Sequence, residues 1–445
     1  MGVDSISPSD DSRPPSPVDW KAGLYLPRNW MDLDDWECPS EDIANLTYLS
    51  VPLGEQFEKG RYVIVRKLGW GSWTTVWLAR DRKTNTFVSL RILSSKATEN
   101  IKDGESDELD LIERFIALCE RDERQPAWAQ HIGRFFDFFS HRTEENVEHL
   151  CMTMEPLAWD LFILKSRTPE GRFPRKTCKS LVRQILIALE GIHREMGYVF
   201  TDLKPNNVLI RPEAISSIIV DEMVVEPAIT DTLDSHRYPK GTVRCKSQPL
   251  PPWIGAGDHI GVVPLHVVLV DFGEAREPGQ VFPETAQNMS FRAPEVYLGY
   301  PATSALDIWS LGCLVFWLVT GGEAFEPGWG GIDRETGITW DVEEAQLRDM
   351  SDRLKMDIPI EMRERSQYWD KYLDEHGNFL RSIEGEDLTL KGSMLMVEET
   401  QPPEDRLPDD ELEGWNAFML RCLKIQPESR PSAAELLQDP WLHES

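Results

Sequence analysis

Residues 198–208 read Tyr-Val-Phe-Thr-Asp-Leu-Lys-Pro-Asn-Asn-Val, which is the most informative stretch of the chain. In it a lysine follows an aspartate by two residues and an asparagine follows by five: Asp202, Lys204 and Asn207. Apolar residues flank them on both sides, at 198–200 and at 208–210. This pattern predicts a polar loop between two short buried strands. An Asp-x-Lys-x-x-Asn match alone can arise by chance in a chain of 445 residues, so the motifs around it decide its meaning.

Four further motifs accompany this loop. Upstream, residues 68–76 read Leu-Gly-Trp-Gly-Ser-Trp-Thr-Thr-Val, and glycine is needed where a backbone must approach phosphate oxygens closely. Downstream, an apolar run ends in Asp-Phe-Gly at 271–273, and Ala-Pro-Glu follows at 293–295. Asp-Ile-Trp-Ser-Leu-Gly at 307–312 then opens a long apolar run. A single Gly-x-Gly is a weak signal, whereas five motifs in one order from residue 68 to residue 312 form a specific one.

In this order the motifs resemble those of protein kinases. The resemblance implies a bilobal protein kinase fold of the α+β class, with a small antiparallel β lobe plus one helix and a larger, mainly helical lobe. We expect an N-terminal extension, partly disordered, at residues 1–50, the small lobe at 51–157 and the large lobe at 158–445. The interval between residues 210 and 271 is much longer than the hairpin of a compact kinase. It predicts an insertion at about 213–265, largely loop.

Among kinases, the sequence is similar to the SR-protein kinase family, and to its fungal branch in particular. Short segments between about residue 50 and residue 443 carry this similarity: 67–71, 75–81, Thr201 before Asp202, 325–327, 346–350 and 379–383. The similarity implies a serine/threonine protein kinase that uses ATP and Mg²⁺ and phosphorylates basic, Arg/Ser-rich proteins. The Asp-x-Lys pair of the loop also favours serine or threonine over tyrosine as the acceptor.

The resemblance assigns a role to each polar motif residue. Asp202 accepts the proton of the substrate hydroxyl, and Lys204 stabilises charge on the transferring phosphoryl group. Asn207 and Asp271 hold Mg²⁺. The residues expected to contact the nucleotide or its metal are Leu68, Gly69, Gly71, Val76, Arg91, Glu108, Glu155, Leu157, Asn207 and Asp271. Met154 is expected beside the hinge as gatekeeper, and Asp160 either reaches the ribose or faces water.

One departure from the family pattern bears on catalysis. Residues 87–93 read Phe-Val-Ser-Leu-Arg-Ile-Leu, so Arg91 stands where kinases generally have the lysine that joins the ATP phosphates to a helix glutamate, here Glu108. Arginine keeps the charge, but its planar fork is longer than an ammonium group and not interchangeable with it. Two functions stay open: an active kinase, because the other catalytic and metal-binding residues are intact, or a pseudokinase that binds nucleotide or basic peptide with little turnover.

Other departures concern packing and regulation. Phe200 replaces the usual catalytic-loop histidine and is expected to pack against Phe272. Thr201 replaces the arginine that gathers an activation-loop phosphate, so activation through that arginine is not expected. In the large lobe, Arg430 is expected to form a structural ion pair with Glu295, as it does in kinases generally.

Charge and composition limit the class of partner. The chain carries 76 acidic and 47 basic residues, a net charge of −29, which argues against direct nucleic-acid binding and favours basic partners. Most of these acids can equally form a solvated surface. Asp341, Glu343 and Glu344 lie where the resemblance places substrate-docking acids, and the same alternative applies to them.

The remaining composition is that of a soluble intracellular enzyme. Apolar residues make up 41% of the chain, enough for a large core, and no run of 18 apolar residues or signal sequence is present. Seven cysteines are scattered without a CxxC pair, which favours reduced thiols. We therefore expect a cytoplasmic and/or nuclear protein without membrane association. A monomer is the default expectation.

Overall fold

The computed structural model describes ten stretches of the chain: residues 48–121, 125–168, 171–232, 243–252, 264–283, 286–325, 331–332, 339–381, 388–401 and 406–443. The expected N-terminal extension lies outside them except for its last three residues. Among the described residues, no helix combines the length and apolarity needed to cross a bilayer. The six described cysteines are free thiols, five of them buried.

The small lobe is built on one antiparallel sheet. Its strands are β1 (Gln56–Phe57), β2 (Tyr62–Trp70), β3 (Thr74–Asp81), β4 (Thr86–Leu93), β5 (Phe135–Arg142) and β6 (Glu148–Met154). They lie in the order β1-β2-β3-β4-β6-β5. Because successive strand residues point to opposite faces, Trp77, Leu90 and Ile92 pack in the outer cluster of the sheet, whereas Arg91 points to the other face.

Two helices, rather than the single one expected, complete the small lobe: α1 (Ser95–Lys102) and α2 (Glu108–Arg121). The expectation of one helix is therefore incomplete. Helix α1 is short and mostly polar, with only two apolar residues, Ala97 and Ile101, four residues apart. It begins at Ser94, whose hydroxyl accepts the Ala97 N–H at 3.2 Å, a contact that satisfies one of the unpaired amides of the first turn.

The large lobe is mainly helical. Its helices, apart from the insertion, are α3 (Leu161–Lys165), α4 (Arg175–Glu190), α6 (Pro294–Tyr297), α7 (Ala305–Thr320), α8 (Val342–Leu354), α9 (Trp369–Tyr372), α10 (Leu390–Glu399), α11 (Asp409–Cys422), α12 (Ala433–Leu436) and α13 (Pro440–His443). Helix α7 is buried on nearly every side, as expected of a helix with a continuous apolar sequence. Two pairs of short strands complete the lobe: β7 (Val208–Ile210) with β10 (Val267–Leu269), and β11 (Gly331–Ile332) with β12 (Thr339–Trp340).

The insertion contains more regular structure than expected. Its described part holds helix α5 (Ile215–Val225) and a hairpin of β8 (Thr230–Thr232) with β9 (Val243–Cys245). The expectation of a largely loop-like segment is wrong for this part. The helix has apolar residues on all of its faces, including the exposed Val220, Val224 and Val225, so its sequence lacks the periodic pattern of an amphipathic helix.

Although the insertion belongs to the large lobe in sequence, it packs on the small lobe. Ile219 of α5 and Leu250 form a buried cluster with Leu78 of β3. The buried Arg66 of β2 donates from Nη2 to the Glu222 carbonyl at 3.3 Å, near the end of α5. Leu250 also forms a bridge with Ala158, next to the hinge between the lobes. The insertion is thus attached to the small lobe and to the hinge region.

Candidate active site

The catalytic-loop residues predicted from the sequence contact one another. The loop precedes β7. In it, the Lys204 ammonium donates a hydrogen bond to Oδ2 of Asp202 at 2.6 Å. The Asn207 side-chain nitrogen donates to the backbone carbonyl of Asp202 at 2.8 Å and to its Oδ2 at 2.9 Å. Both bonds use the amide nitrogen, so the amide oxygen of Asn207 faces away from Asp202 and can bind a cation.

The charge of Lys204 is secured by this arrangement. Burial alone would lower the pKa of Lys204, but the charge of Asp202 and the hydrogen bond to it outweigh burial and raise the pKa. Lys204 therefore carries a permanent positive charge beside the carboxylate. A group of this kind can stabilise negative charge that develops next to Asp202.

The loop backbone is held by residues that the sequence analysis did not assign to the site. Thr201 has a φ of +72°, a conformation that costs a β-branched residue about 1–3 kcal/mol. The buried carboxylate of Asp307 accepts the N–H groups of Phe200 and Thr201, each at 2.7 Å. On the other side, Gln287 donates to the Thr201 carbonyl at 2.9 Å. These bonds fix the strained backbone that presents Asp202.

Asp307 could have been found from sequence, whereas Gln287 could not. A carboxylate near the start of an otherwise apolar helix must have a partner, because an unpaired buried charge is too costly. That reasoning marks Asp307 as a structural acceptor. Asn288, next to Gln287, accepts the Ser290 N–H at 3.1 Å.

Phe200 packs as expected. Its ring meets that of Phe272 edge to face, with centroids 5.3 Å apart, and both side chains are fully buried. An apolar contact thus links the catalytic loop to the Asp-Phe-Gly motif. The neighbouring Asp271 has a φ of +67°, and its side chain is partly exposed rather than packed in the core.

Arg91 lies between two carboxylates. Its guanidinium binds Glu108 of α2 through Nη1 and Asp271 through Nη2, the latter at 2.6 Å. The Arg91 side chain is 11% exposed, whereas that of Asp271 is 44% exposed. Burial alone would lower the pKa of Arg91, but the two carboxylates outweigh it and raise the pKa above the ordinary arginine value. Arg91 therefore reaches Glu108, the partner expected for the lysine at this position in other kinases, and it stays charged.

The glycine-rich hairpin lies above Arg91. Gly69 is paired with Val76, and Val76 is paired with Arg91 on the next strand. A Cβ atom placed on Gly69 would meet no heavy atom within 4 Å, so open space lies beside this backbone. The tip is closed by the Gly71 N–H, which donates to the Thr74 carbonyl at 2.8 Å. Leu68, predicted to line the nucleotide site, packs on the cluster that includes Leu78 and the insertion.

The side chains of the predicted hinge residues are engaged or buried within the protein. The carboxylate of Glu155 accepts the Arg134 N–H at 2.9 Å and Nε of Arg211 at 2.8 Å, so its side chain is used within the protein. Met154 and Leu157 are buried. Any contact of Glu155 with a ligand must therefore come from its backbone.

Asp160 caps a helix. It accepts the Ile163 N–H at 2.7 Å at the start of α3, and Asn206 lies within 3.3 Å of its other oxygen. This N-cap role accounts for Asp160 without a ribose contact.

The three candidate docking acids differ in exposure. Asp341 caps α8 through the Glu344 N–H at 2.9 Å, forms an ion pair with Lys371 at 3.3 Å and is 42% exposed. Glu344 is fully buried and paired with Arg381. The expectation that Glu344 contacts a substrate therefore does not hold, because a basic peptide cannot reach it. Asp341 keeps an accessible carboxylate.

The residues at the cleft fit the expected cofactors. The carboxylate of Asp271 and the amide oxygen of Asn207 are hard oxygen ligands, and Mg²⁺ is usually held by one or two carboxylates together with substrate phosphates. The open space beside Gly69 leaves room for phosphate groups near its backbone.

Comparison with known proteins identifies the family of this chain. The sequence pattern of the protein kinase domain matches residues 62–221 and 262–442, which omits the middle of the insertion. A serine/threonine-protein kinase SRPK of Physarum polycephalum is 28% identical, with 91% of this chain and 90% of the relative covered. Protein kinase dsk1 of Schizosaccharomyces pombe is 26% identical, with 91% and 85% covered.

An animal relative extends the comparison. SRSF protein kinase 3 of Mus musculus is 24% identical, with 93% of this chain and 91% of the relative covered. Fungal relatives stand among the most similar proteins, which confirms the resemblance inferred from the motifs. The chain belongs to the protein kinase family, as a serine/threonine protein kinase of the SR-protein kinase type.

Proposed function

We propose that this chain is an active, Mg·ATP-dependent kinase that phosphorylates serine or threonine hydroxyls in basic, Arg/Ser-rich proteins. The observation that carries the proposal is the set of contacts among Asp202, Lys204 and Asn207, with Asp271 next to the loop, one residue after Val270, whose N–H donates to the Asn207 carbonyl at 3.0 Å. This set contains a proton acceptor, a fixed cation and two oxygen ligands for a metal. Together they meet the requirements of phosphoryl transfer.

The residues act through position and charge. Bound Mg·ATP supplies the γ-phosphoryl group. Asp202 orients the acceptor hydroxyl and takes its proton, and Lys204 stabilises the negative charge beside it. Asn207 and Asp271 provide oxygen ligands for the metal. Phe200 and Thr201, held by Asp307, keep Asp202 in place during the reaction.

Arg91 supports activity rather than excluding it. The Arg91 guanidinium binds Glu108, the helix glutamate that orients the lysine at this position in other kinases. Phosphate oxygens can compete for its second contact, since Asp271 is the more exposed of its two partners. Arg91 would then hold phosphate with one side of its fork and Glu108 with the other.

A second function has one observation in its favour. Arg91 is closed onto Asp271, so a metal ligand is engaged by a protein cation. If that ion pair persists with nucleotide bound, the metal loses part of its site. The chain would then be a pseudokinase that binds nucleotide or basic peptide with little turnover.

The proposed substrate class rests on charge. The net charge of −29 attracts basic partners, and Asp341 offers an accessible carboxylate. One relative is named SRSF protein kinase 3, and we extend the substrate class in that name to this chain. We further propose that it acts as a monomer without direct contact to nucleic acid.

Phosphate incorporation from labelled Mg·ATP tests the proposal. The acceptors are an Arg/Ser-repeat peptide, a Lys/Ser-repeat peptide and an acidic serine peptide of equal length. Wild type should label the Arg/Ser peptide most strongly, and Asp202→Ala should abolish labelling. Asp370→Ala, at a highly exposed aspartate, serves as the matched control and should not change it.

Three results would contradict the proposal in whole or in part. Full turnover in Asp202→Ala would remove the assigned base. A silent wild type together with a strongly labelling Arg91→Lys variant would establish the pseudokinase instead. Equal labelling of all three peptides would leave the kinase activity in place and refute the basic substrate class.

A further inference from the structure

A tyrosine outside the kinase motifs contacts the tip of the glycine-rich hairpin. The hydroxyl of Tyr48 donates to the Gly71 carbonyl at 2.9 Å and also lies against the Ser72 carbonyl. Gly71 and Ser72 form the turn between β2 and β3. The contact therefore joins two regions 23 residues apart in sequence, at the part of the hairpin that lies over the expected phosphate site.

The segment that carries Tyr48 is itself anchored to the small lobe. Leu49 packs against the outer apolar cluster of the sheet, and Val51 is buried in that cluster. Further along, the Gly54 N–H donates to the Ile64 carbonyl at 2.9 Å. Cys245 of the insertion hairpin lies in the same cluster. The backbone that presents Tyr48 is thus held by the body of the lobe.

Two other hydrogen bonds hold the hairpin tip to the small lobe. The Trp73 carbonyl accepts the Ser94 N–H at 2.8 Å, and the Thr74 hydroxyl donates to the Ile92 carbonyl at 3.1 Å. Both contacts lie on the β3 side of the turn. Tyr48 holds the β2 side, which contains the glycines. Glycine-containing turns lose the most conformational entropy on ordering, so a contact there has a large effect on how often the hairpin is in place.

We propose that Tyr48 is a positioning residue of the nucleotide site, acting as a latch that holds the β2 side of the glycine-rich hairpin in its closed position. The inference rests on the nucleotide site proposed above. A hairpin already held in position pays less ordering entropy when Mg·ATP binds. Loss of the phenol hydroxyl should therefore weaken nucleotide affinity with little effect on transfer once nucleotide is bound.

The test compares Tyr48→Phe with wild type in the full chain. Amide hydrogen exchange is measured over residues 68–76 without nucleotide, and Mg·ADP affinity is measured by calorimetry. Exchange should become faster and Kd larger, each by roughly two- to tenfold, the range that one net hydrogen bond supports. KM for ATP should rise by a similar factor at nearly constant kcat, with the unfolding temperature unchanged.

Tyr300→Phe is the matched control. It removes a phenol hydroxyl bonded to Glu428 in the large lobe, away from the cleft, and should change neither hairpin exchange nor Mg·ADP affinity. If Tyr48→Phe leaves exchange over 68–76 unchanged, the latch is refuted. Faster exchange with unchanged Mg·ADP affinity would also refute the positioning role.

The two proposals fail differently. A wild type that binds no Mg·ADP refutes the proposed nucleotide site. The exchange comparison without nucleotide still decides whether Tyr48 holds the hairpin, because it needs no ligand. Binding by wild type with identical behaviour of Tyr48→Phe refutes the latch alone.

Discussion

The ion pairs of Arg430 and Arg91 have different surroundings. Arg430 and Glu295 in the large lobe are both fully buried and meet through two bonds of 2.6 and 2.7 Å. The other donors of Arg430 reach backbone carbonyls of residues 305, 424 and 425. Arg91 is bound to Glu108 and to Asp271, and Asp271 is nearly half exposed.

The comparison separates a closed ion pair from an open one. All five N–H groups of Arg430 have protein acceptors, so the pair has no capacity for a ligand and can only stabilise the fold. Arg91 faces a cleft, and one of its partners is accessible to solvent and to a metal. An arginine–carboxylate pair thus stabilises the fold where every N–H group has a protein acceptor. It can bind a ligand where one of its partners can be replaced.

The closed pair should show the largest loss of stability. Arg430→Met leaves Glu295 as an unpaired buried charge, and we expect the free energy of unfolding to fall by about 3–5 kcal/mol. Urea unfolding measures it. Arg365→Met breaks the half-exposed ion pair with Glu428 and should cost less than about 1 kcal/mol. Equal stability of Arg430→Met and wild type would show that the closed pair is not structural.

The open pair should affect turnover more than stability. In Arg91→Met, we expect kcat on the Arg/Ser-repeat peptide to fall about 100-fold, the usual cost of removing one charged donor from a transfer site. Stability should fall less than in Arg430→Met, because Asp271 can be solvated. Burial also raises the pKa of Glu108, which lets the freed carboxyl take up a proton.

Arg91→Lys is the matched variant that keeps the charge. Its kcat should stay within about tenfold of wild type, since a tenfold change corresponds to only about 1.4 kcal/mol of transition-state binding. Parallel urea unfolding and steady-state kinetics separate the two effects. A kcat of Arg91→Met equal to that of wild type would exclude the arginine from phosphoryl transfer.

A third buried arginine, Arg66, lacks a carboxylate partner in the described residues, and its replacement should change stability less than that of Arg430. Arg66 donates to the Glu222 carbonyl, and within the described residues its Nε and Nη1 have no acceptor. Burial lowers the pKa of Arg66, which marks the charge as poorly compensated. Arg66→Met should therefore change the free energy of unfolding by less than about 2 kcal/mol, with either sign allowed. A larger loss by urea unfolding would show that Arg66 fastens the insertion.

The catalytic residues were accessible from sequence because their spacing is local. Asp202, Lys204 and Asn207 lie within six residues, and their contacts follow from one short loop. The pairing of Arg91 with Glu108 was also inferred, since both occur at recognisable positions on a strand and a helix. In these cases the positions of the residues in their motifs predict which side chains are in contact.

The remaining features depend on contacts between distant segments. The sequence marks Asp307 as a buried acceptor, but no local pattern shows that Gln287 and Asp307 hold Thr201, from 86 and 106 residues away. Helix α5 is not apparent from the sequence because apolar residues lie on all of its faces. Tyr48 precedes every kinase motif, and its contact with Gly71 becomes visible only when the sheet is assembled.

The attachment of the insertion also changes how the cleft can open. The insertion leaves the large lobe after β7 and returns to it at β10, yet α5 and Leu250 pack against Leu78 on the small lobe. Movement of one lobe away from the other must carry α5 along and bend residues 211–214, or break the α5 contacts. The short connection to β7 sets a mechanical limit on how far the lobes can separate while the insertion stays docked.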